Sequence, residues 1–334
     1  MMENIDDLKS FLAMPREIVI VSHRNPDGDA IGSSLGLGLY LQRKRHNVKI
    51  IFPSEFPDVF NYLPESDYIL IHDNEPDTCD VFLDKAEVIF CLDFNSLDRI
   101  DRLGVKINGK QAVKVMIDHH IDPEPFPDYM LSEVSASSTS ELIYDFITML
   151  GDEKMIDPIM GECLYTGIIT DTGSFRFSTS AKLFRIVAKL KEIGVDDKKL
   201  QDYIFNSMPI KNMQLLGHCL NNRMEIIEEY GVGIIVLNKY DYKNFDIQRG
   251  DTEGIVNYLL MMKKIRLGVF ISQQPNIIKL SMRSKGDLSV QQIARDHFKG
   301  GGHKNASGGS FHGSLKSAIE KFKEILPDYL NKIN

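Results

Sequence analysis

The stretch Ser22-His23-Arg24-Asn25-Pro26-Asp27-Gly28-Asp29-Ala30-Ile31-Gly32 decides the reading of the chain. It sets one histidine and two carboxylates in a loop broken by Pro26 and Gly28. Ahead of it lies Ile18-Val19-Ile20-Val21, a β-branched run of the kind buried on both faces of a parallel sheet. Behind it, Ile31, Leu35, Leu37, Leu39, Tyr40 and Leu41 predict a helix, with the small residues Gly32, Ser33, Ser34 and Gly36 on its first turns. The loop is therefore expected where a strand hands over to a helix, at the carboxyl edge of an α/β sheet, where ligands bind. Asn-Pro-Asp-Gly is also an ordinary turn with Asp29 as a helix N-cap, so these residues alone leave a turn and a metal site equally open.

Working outward, Val48–Phe52 predicts a second strand, Val88–Leu92 a third that ends on Asp93, and Val113–Ile117 a fourth that ends on Asp118-His119-His120. In a parallel sheet such ends lie along one edge, which gathers residues distant in sequence. Ser138-Thr139-Ser140-Glu141 reads as a capping box opening a helix from Thr139 to Leu150. A second helix from near Pro158 brings Asp171 to its end, and a third, Ala181 to Ile193, closes a first domain of residues 1–193. Residues 194–210 read as a linker and 211–334 as a second, smaller α/β domain. That domain is expected to hold strands at 232–237, 267–271 and 277–283, with Asn276 at the turn before the last. Helices are expected at 252–262, 289–298 and 315–330, with Gly300-Gly301-Gly302-His303-Lys304 before the final one.

The 334 residues are 43% hydrophobic and 26% charged, the composition of a globular protein with room for two cores. No apolar run reaches a bilayer-spanning length and the acidic start is unlike a signal peptide, so a cytoplasmic protein without membrane contact is expected. Cys79, Cys91, Cys163 and Cys219 have no paired spacing and read as reduced thiols. The net charge of −8 is uneven, about −14 up to Ile210 and +6 beyond it, which suits a carboxylate-bearing half that holds cations and a basic half that holds an anion.

The chemistry-bearing residues are His23, Asp27, Asp29, Asp93, His119, His120 and Asp171. Four carboxylates crowded together repel unless cations sit among them, and two divalent ions would neutralise them. Mixed oxygen and imidazole donors suit Mn²⁺, with Mg²⁺, Co²⁺ or Zn²⁺ as substitutes. Gly300 to Gly302 allow backbone amides to approach an anion, with His303 and Lys304 beside them, and Arg283 can add a forked contact. Arg99 could reach a substrate phosphate or form a surface ion pair. His46, His72, His218 and His312 read as surface or satisfied structural histidines, and Ser137, Ser138 and Thr139 as capping groups.

Together these motifs resemble the DHH phosphoesterase superfamily, whose signature triplet stands here as Asp118-His119-His120. His23-x3-Asp27-x-Asp29, Asp93, the triplet and Asp171 match its four ordered motifs, and Gly300-Gly301-Gly302-His303 with Ala306-Ser307-Gly308 resembles its associated C-terminal domain. The two-domain length is most similar to the group of nanoRNases (oligoribonucleases) and 3′-phosphoadenosine 5′-phosphate (pAp) phosphatases. The resemblance implies one ion on His23, Asp27 and Asp93 and another on Asp29, Asp93, His119 and Asp171, with Asp93 bridging. It implies that His120 meets the scissile phosphate, that Asp118 orients the histidine pair, and that Arg283 with His303, Gly301 and Gly302 holds substrate from the second domain across a cleft. The expected activity is Mn²⁺-dependent hydrolysis of short 5′-phosphorylated oligoribonucleotides or pAp, through attack by a metal-bridging hydroxide. Cyclic or linear dinucleotide hydrolysis, single-strand exonuclease or pyrophosphatase activity, and a non-catalytic nucleotide sensor are the alternatives. No long basic, aromatic-studded track for a polymer is visible, and a homodimer is compatible with the sequence.

Overall fold

The computed structural model describes residues 2–248, 250–275 and 277–331. Contacts divide the chain between Ser207 and Met208 into two compact units. The helices, in chain order, are α1 (Ile5–Phe11), α2 (Gly28–Arg43), α3 (Pro76–Lys85), α4 (Arg102–Asn108), α5 (Thr139–Met149), α6 (Pro158–Asp171), α7 (Ala181–Glu192), α8 (Asp197–Phe205), α9 (Ile210–Asn222), α10 (Lys239–Asn244), α11 (Ile255–Leu260), α12 (Val290–His297) and α13 (Leu315–Tyr329).

The first unit is built on strands β1 (Glu17–Ser22), β2 (Asn47–Phe52), β3 (Leu70–Ile71), β4 (Val88–Leu92), β5 (Val113–Asp118) and β6 (Tyr129–Ser132). They form one sheet in the order β3-β2-β1-β4-β5-β6, every neighbouring pair parallel. Successive strand residues point to opposite faces, so the β-branched runs serve two cores. Ile18, Ile20, Phe90 and Val115 enter the core shared with α2, α5 and α6. Val19, Val21, Ile89, Cys91 and Met116 enter the one under α3 and α4. That is why β1 and β4 carry no polar alternation. The order reverses between β1 and β4, and their chain connections leave to opposite sides, which opens a crevice at their carboxyl ends.

Against α2 lies α6, packed so closely that a Cβ on Gly32 would stand 2.4 Å from the Cys163 carbonyl oxygen. Gly32 admits the α6 backbone, and Gly28 and Gly36 admit the α6 side chains of Thr170 and Leu164. All four cysteines are buried and unpaired.

The second unit carries β7 (Met224–Ile227), β8 (Val232–Leu237), β9 (Leu267–Gln273), β10 (Ile278–Ser284), β11 (Gly301–His303) and β12 (Ala306–Phe311), in the order β11-β12-β10-β9-β8-β7. Only β8 and β9 run parallel. One face packs on α12 and α13 through Leu280, Met282, Ile293 and Phe322, and β8 and β9 pack their other face on α9 and α11.

Several expectations shift. The short strands β3 and β6 were not foreseen, being too brief to show a period. The segment expected as linker contains α8, whose Leu200 is wholly buried in the first core. Two residues of the triple glycine lie in a hairpin, because Gly301 to His303 pair with Gly308 to Ala306 of β12. The N-cap of α2 is Asp27, which accepts from the Asp29 and Ala30 amides, and Asp29 lies in the first turn. At α5, Ser138 caps as expected, but Glu141 accepts from the Ser137 amide instead of closing the box on Ser138. His46 and His72 are buried, and Nε2 of His46 has no hydrogen-bond partner. Asn276 lies outside the described residues.

Candidate active site

Four chain segments deliver side chains to the crevice edge. His23 follows β1 and leads to Asp27 and Asp29 at the start of α2, Asp93 follows β4, Asp118 ends β5 with His119 and His120 just beyond it, and Asp171 is the last residue of α6. Except for Asp27 and Asp171, these side chains are buried. The expected carboxylate and imidazole cluster forms entirely within the first unit.

Asp93 is its centre. One carboxylate oxygen, Oδ2, lies 3.3 Å from His23 Nε2, and the other, Oδ1, lies 3.5 Å from His119 Nε2. On the first side, Asp27 Oδ1 is 3.9 Å from His23 Nε2. On the second, Asp171 Oδ2 is 3.2 Å and Asp29 Oδ2 3.9 Å from His119 Nε2. Donor atoms about 2.1 Å from an octahedral cation stand about 3 Å apart when adjacent and about 4 Å when opposite, so these spacings suit two ion positions sharing Asp93.

The neighbours of the histidine Nδ1 atoms agree with that reading. His23 Nδ1 lies 2.9 Å from the Arg24 carbonyl oxygen and His119 Nδ1 3.4 Å from that of Ala136. A ring that donates Nδ1–H to a carbonyl presents the Nε2 lone pair, the form a metal ligand takes. His120 differs, since its Nδ1 is 2.7 Å from Asp118 Oδ1 and its amide donates to Asp118 Oδ2 at 3.1 Å. Asp118, wholly buried, thereby fixes the ring of His120.

The metal-free charges are under tension. Burial and the neighbouring Asp93 charge push Asp29 up to about 7, against the pull of His119. Burial likewise drives Asp171 well above the usual carboxylate range, reinforced by Asp29, Asp27 and Asp93. Burial also acts to raise Asp93, but hydrogen bonds to His119 and His23 overcome it and hold Asp93 well below that range. For His119 burial opposes the proton, yet Asp93, Asp171 and Asp29 hold its pKa well above the ordinary value; His23 is raised in the same way. Without cations the cluster therefore favours holding protons on His23, His119, Asp29 and Asp171, and cation binding would compete with them.

Residues not foreseen as part of the site complete it. The Thr139 and Ser140 amides at the start of α5 donate to Asp29 at 2.5 and 2.8 Å, and Thr139 Oγ1 donates to Asp93 Oδ1 at 3.1 Å. Gly167 of α6 leaves the room these groups use, since a Cβ there would lie 1.9 Å from Ser140 Oγ and 2.7 Å from Asp29 Oδ1. The signal for Thr139 was present in the capping residues, because a capped helix N-terminus binds carboxylates. Arg99 lies in the short turn Leu97–Ile100, near enough for its charge to oppose protonation of His23.

In the second unit, Arg283 and His303 both stand in register with Ala306, on β10 and β11 flanking β12. They share a sheet row and so the face that leads away from Leu280 and Met282. Lys279 and Ser281 alternate onto the same face, and a Cβ on Gly301 would meet nothing within 4 Å.

Residues 17–168 match the DHH family, N-terminal domain, and residues 225–332 the DHHA1 domain. The chain belongs to the DHH family and is a phosphoesterase. It is 30% identical to the probable bifunctional oligoribonuclease and PAP phosphatase NrnA of Streptococcus mutans, over 92% of this chain and 93% of that protein. It is 28% identical to the bifunctional oligoribonuclease and PAP phosphatase NrnA of Thermus thermophilus, over 96% and 92%. A crystal structure of an exopolyphosphatase-related protein from Bacteroides fragilis superposes with a TM-score of 0.93 at 38% identity, covering 97% of this chain and 96% of that one.

Proposed function

We propose that the protein hydrolyses short 5′-phosphorylated oligoribonucleotides and pAp, dependent on two divalent cations, with Mn²⁺ the best fit to the donor set. The observation that carries this reading is the Asp93 carboxylate, with one oxygen turned to His23 and the other to His119. His23, Asp27 and Asp93 would hold one ion, and Asp29, Asp93, His119 and Asp171 the other. Bound there, the ions would supply Lewis acidity toward a phosphoryl group and lower the pKa of an attacking water. The relatives named as oligoribonuclease and PAP phosphatase support the choice of substrate class.

The protein's own residues do the rest. Asp118 holds Nδ1 of His120 and so orients the ring, which in its doubly protonated form would donate from Nε2 to a phosphoryl oxygen as charge develops on it. Thr139 and Ser140 keep Asp29 and Asp93 aimed without competing for charge. In the second unit Arg283 and His303, with Gly302 and the open position at Gly301, are assigned to bind the anionic substrate, and Arg99 to assist in the first.

The test is turnover with Mn²⁺ of pAp, a 5′-phosphorylated RNA dinucleotide, a cyclic dinucleotide and a long single strand under one condition. Preference for pAp or the short RNA is expected, and Asp93→Ala should abolish it. Preference for the cyclic substrate or the long strand would overturn the substrate assignment, and wild-type activity in Asp93→Ala would overturn the site.

A further inference from the structure

Immediately beyond Asp171 the chain makes a turn that the cation cluster does not explain. Gly173, Ser174, Phe175 and Ser178 all take left-handed backbone conformations, with φ of 55°, 57°, 64° and 51°. Bulky residues such as phenylalanine rarely accept this region, and it persists only where neighbours enforce it. Here they do. The Arg176 and Phe177 amides both donate to the Thr172 carbonyl, at 2.8 and 2.9 Å. The Phe175 amide donates to Thr172 Oγ1 at 3.0 Å, and Ser174 Oγ to Gln201 at 2.7 Å. Phe175 itself packs its ring against Tyr165 and Phe184.

This rigid turn presents an aromatic side chain to solvent. Phe177 is 50% exposed, and the Arg176 guanidinium lies 5.6 Å from its ring centroid. The ring rests over Gly173, where a Cβ would approach it to 3.0 Å. Gly173 is two residues from Asp171, so its Cα is at most about 7.6 Å from that of the carboxylate-bearing residue. Arg176 forms no ion pair among the described residues. An exposed ring beside a guanidinium, held next to a phosphoesterase cluster, has the two faces a nucleotide needs: a π surface for the base and a fork for a phosphate.

We propose that Phe177 and Arg176 form a nucleotide subsite of the first unit, in which the Phe177 ring stacks on a substrate base and Arg176 meets a substrate phosphate. The proposal rests on the nucleotide phosphoesterase reading above and adds the means of telling a nucleotide from a phosphoester without a base. Stacking tolerates every base, since each has a π face, so the subsite would favour nucleotides over base-free phosphoesters without choosing a sequence.

Equilibrium binding tests it without requiring turnover. Adenosine 5′-phosphate and ribose 5-phosphate are titrated calorimetrically, with Mn²⁺ present, into the wild type, Phe177→Ala, Phe177→Trp and Arg176→Ala. Phe177→Ala should weaken the adenosine compound about tenfold and leave ribose 5-phosphate unchanged, with Phe177→Trp restoring the difference. Arg176→Ala should weaken both ligands alike. Mn²⁺ affinity should be the same in all four proteins, which excludes damage to the cluster. Unchanged affinity for adenosine 5′-phosphate in Phe177→Ala, an equal loss for both ligands in that variant, or no binding of adenosine 5′-phosphate by the wild type would overturn the proposal. Failure of the wild type to turn over any phosphoester while it binds adenosine 5′-phosphate through Phe177 would instead sink the catalytic reading alone.

Discussion

Asp93 has a left-handed backbone, φ 63°, directly after β4, and this turns its carboxylate back between His23 and His119. Strain of this kind collects at functional sites. Its orientation depends on the Thr139 hydroxyl, which suggests a graded experiment. Thr139→Val keeps the amide that holds Asp29 but loses the bond to Asp93, and Mn²⁺ affinity should fall about 10- to 100-fold by calorimetric titration, as for other residues that orient metal ligands. Thr139→Ser should restore it. A second residue-scale prediction concerns stability. His46 is buried, accepts the Arg16 amide through Nδ1 and leaves Nε2 without a partner. Burial, with Lys44 and Arg16, holds its pKa below the ordinary 6.5. Protonation is then easier in the unfolded chain, so stability present above that pH is lost as the pH falls below it. In His46→Asn, whose amide oxygen can replace Nδ1, the denaturation midpoint should drop less than the wild type's between about pH 7.5 and about pH 5.5.

Among the elements, the contact of α2 with α6 positions the most ligands, because Asp27 and Asp29 begin one helix and Asp171 ends the other. Gly32 permits it. A methyl group there would lie 2.4 Å from the Cys163 oxygen and 2.8 Å from the Gly167 nitrogen, both backbone atoms that cannot swing aside. Gly32→Ala should therefore cost about 1–3 kcal/mol in urea unfolding and lower Mn²⁺ affinity as the helices part. Gly217→Ala is the control. It lies on the exposed side of α9 with nothing within 4 Å of the added carbon, and should gain about 0.5–1 kcal/mol from helix propensity.

At the scale of the molecule, charge is divided as the composition indicated, with the cation-type ligands in the acidic first unit and Arg283, His303 and Lys279 on one sheet face of the basic second. No described helix is long and apolar enough to cross a membrane. If the basic unit recruits a small anion, kcat/KM for pAp should fall as ionic strength rises from about 0.05 M to about 0.5 M, where the screening length shrinks below about 5 Å. His303→Ala should raise KM with kcat nearly kept. An unchanged KM would remove His303 from substrate binding.

The sequence alone determined the α/β class, the parallel sheet of the first unit and the cluster of His23, Asp27, Asp29, Asp93, His119 and Asp171. Apolar strands that end in carboxylates and imidazoles can only gather those ends at one edge when they run parallel. Tertiary structure decided what depends on backbone direction and on partners far along the chain. It turned Gly301, Gly302 and His303 into a strand, because the bonds that make it one come from β12. It also recruited Thr139 and Ser140, since their hydrogen bonds run to Asp29 and Asp93 on other elements, more than a hundred and more than forty residues away, and no local pattern encodes that approach.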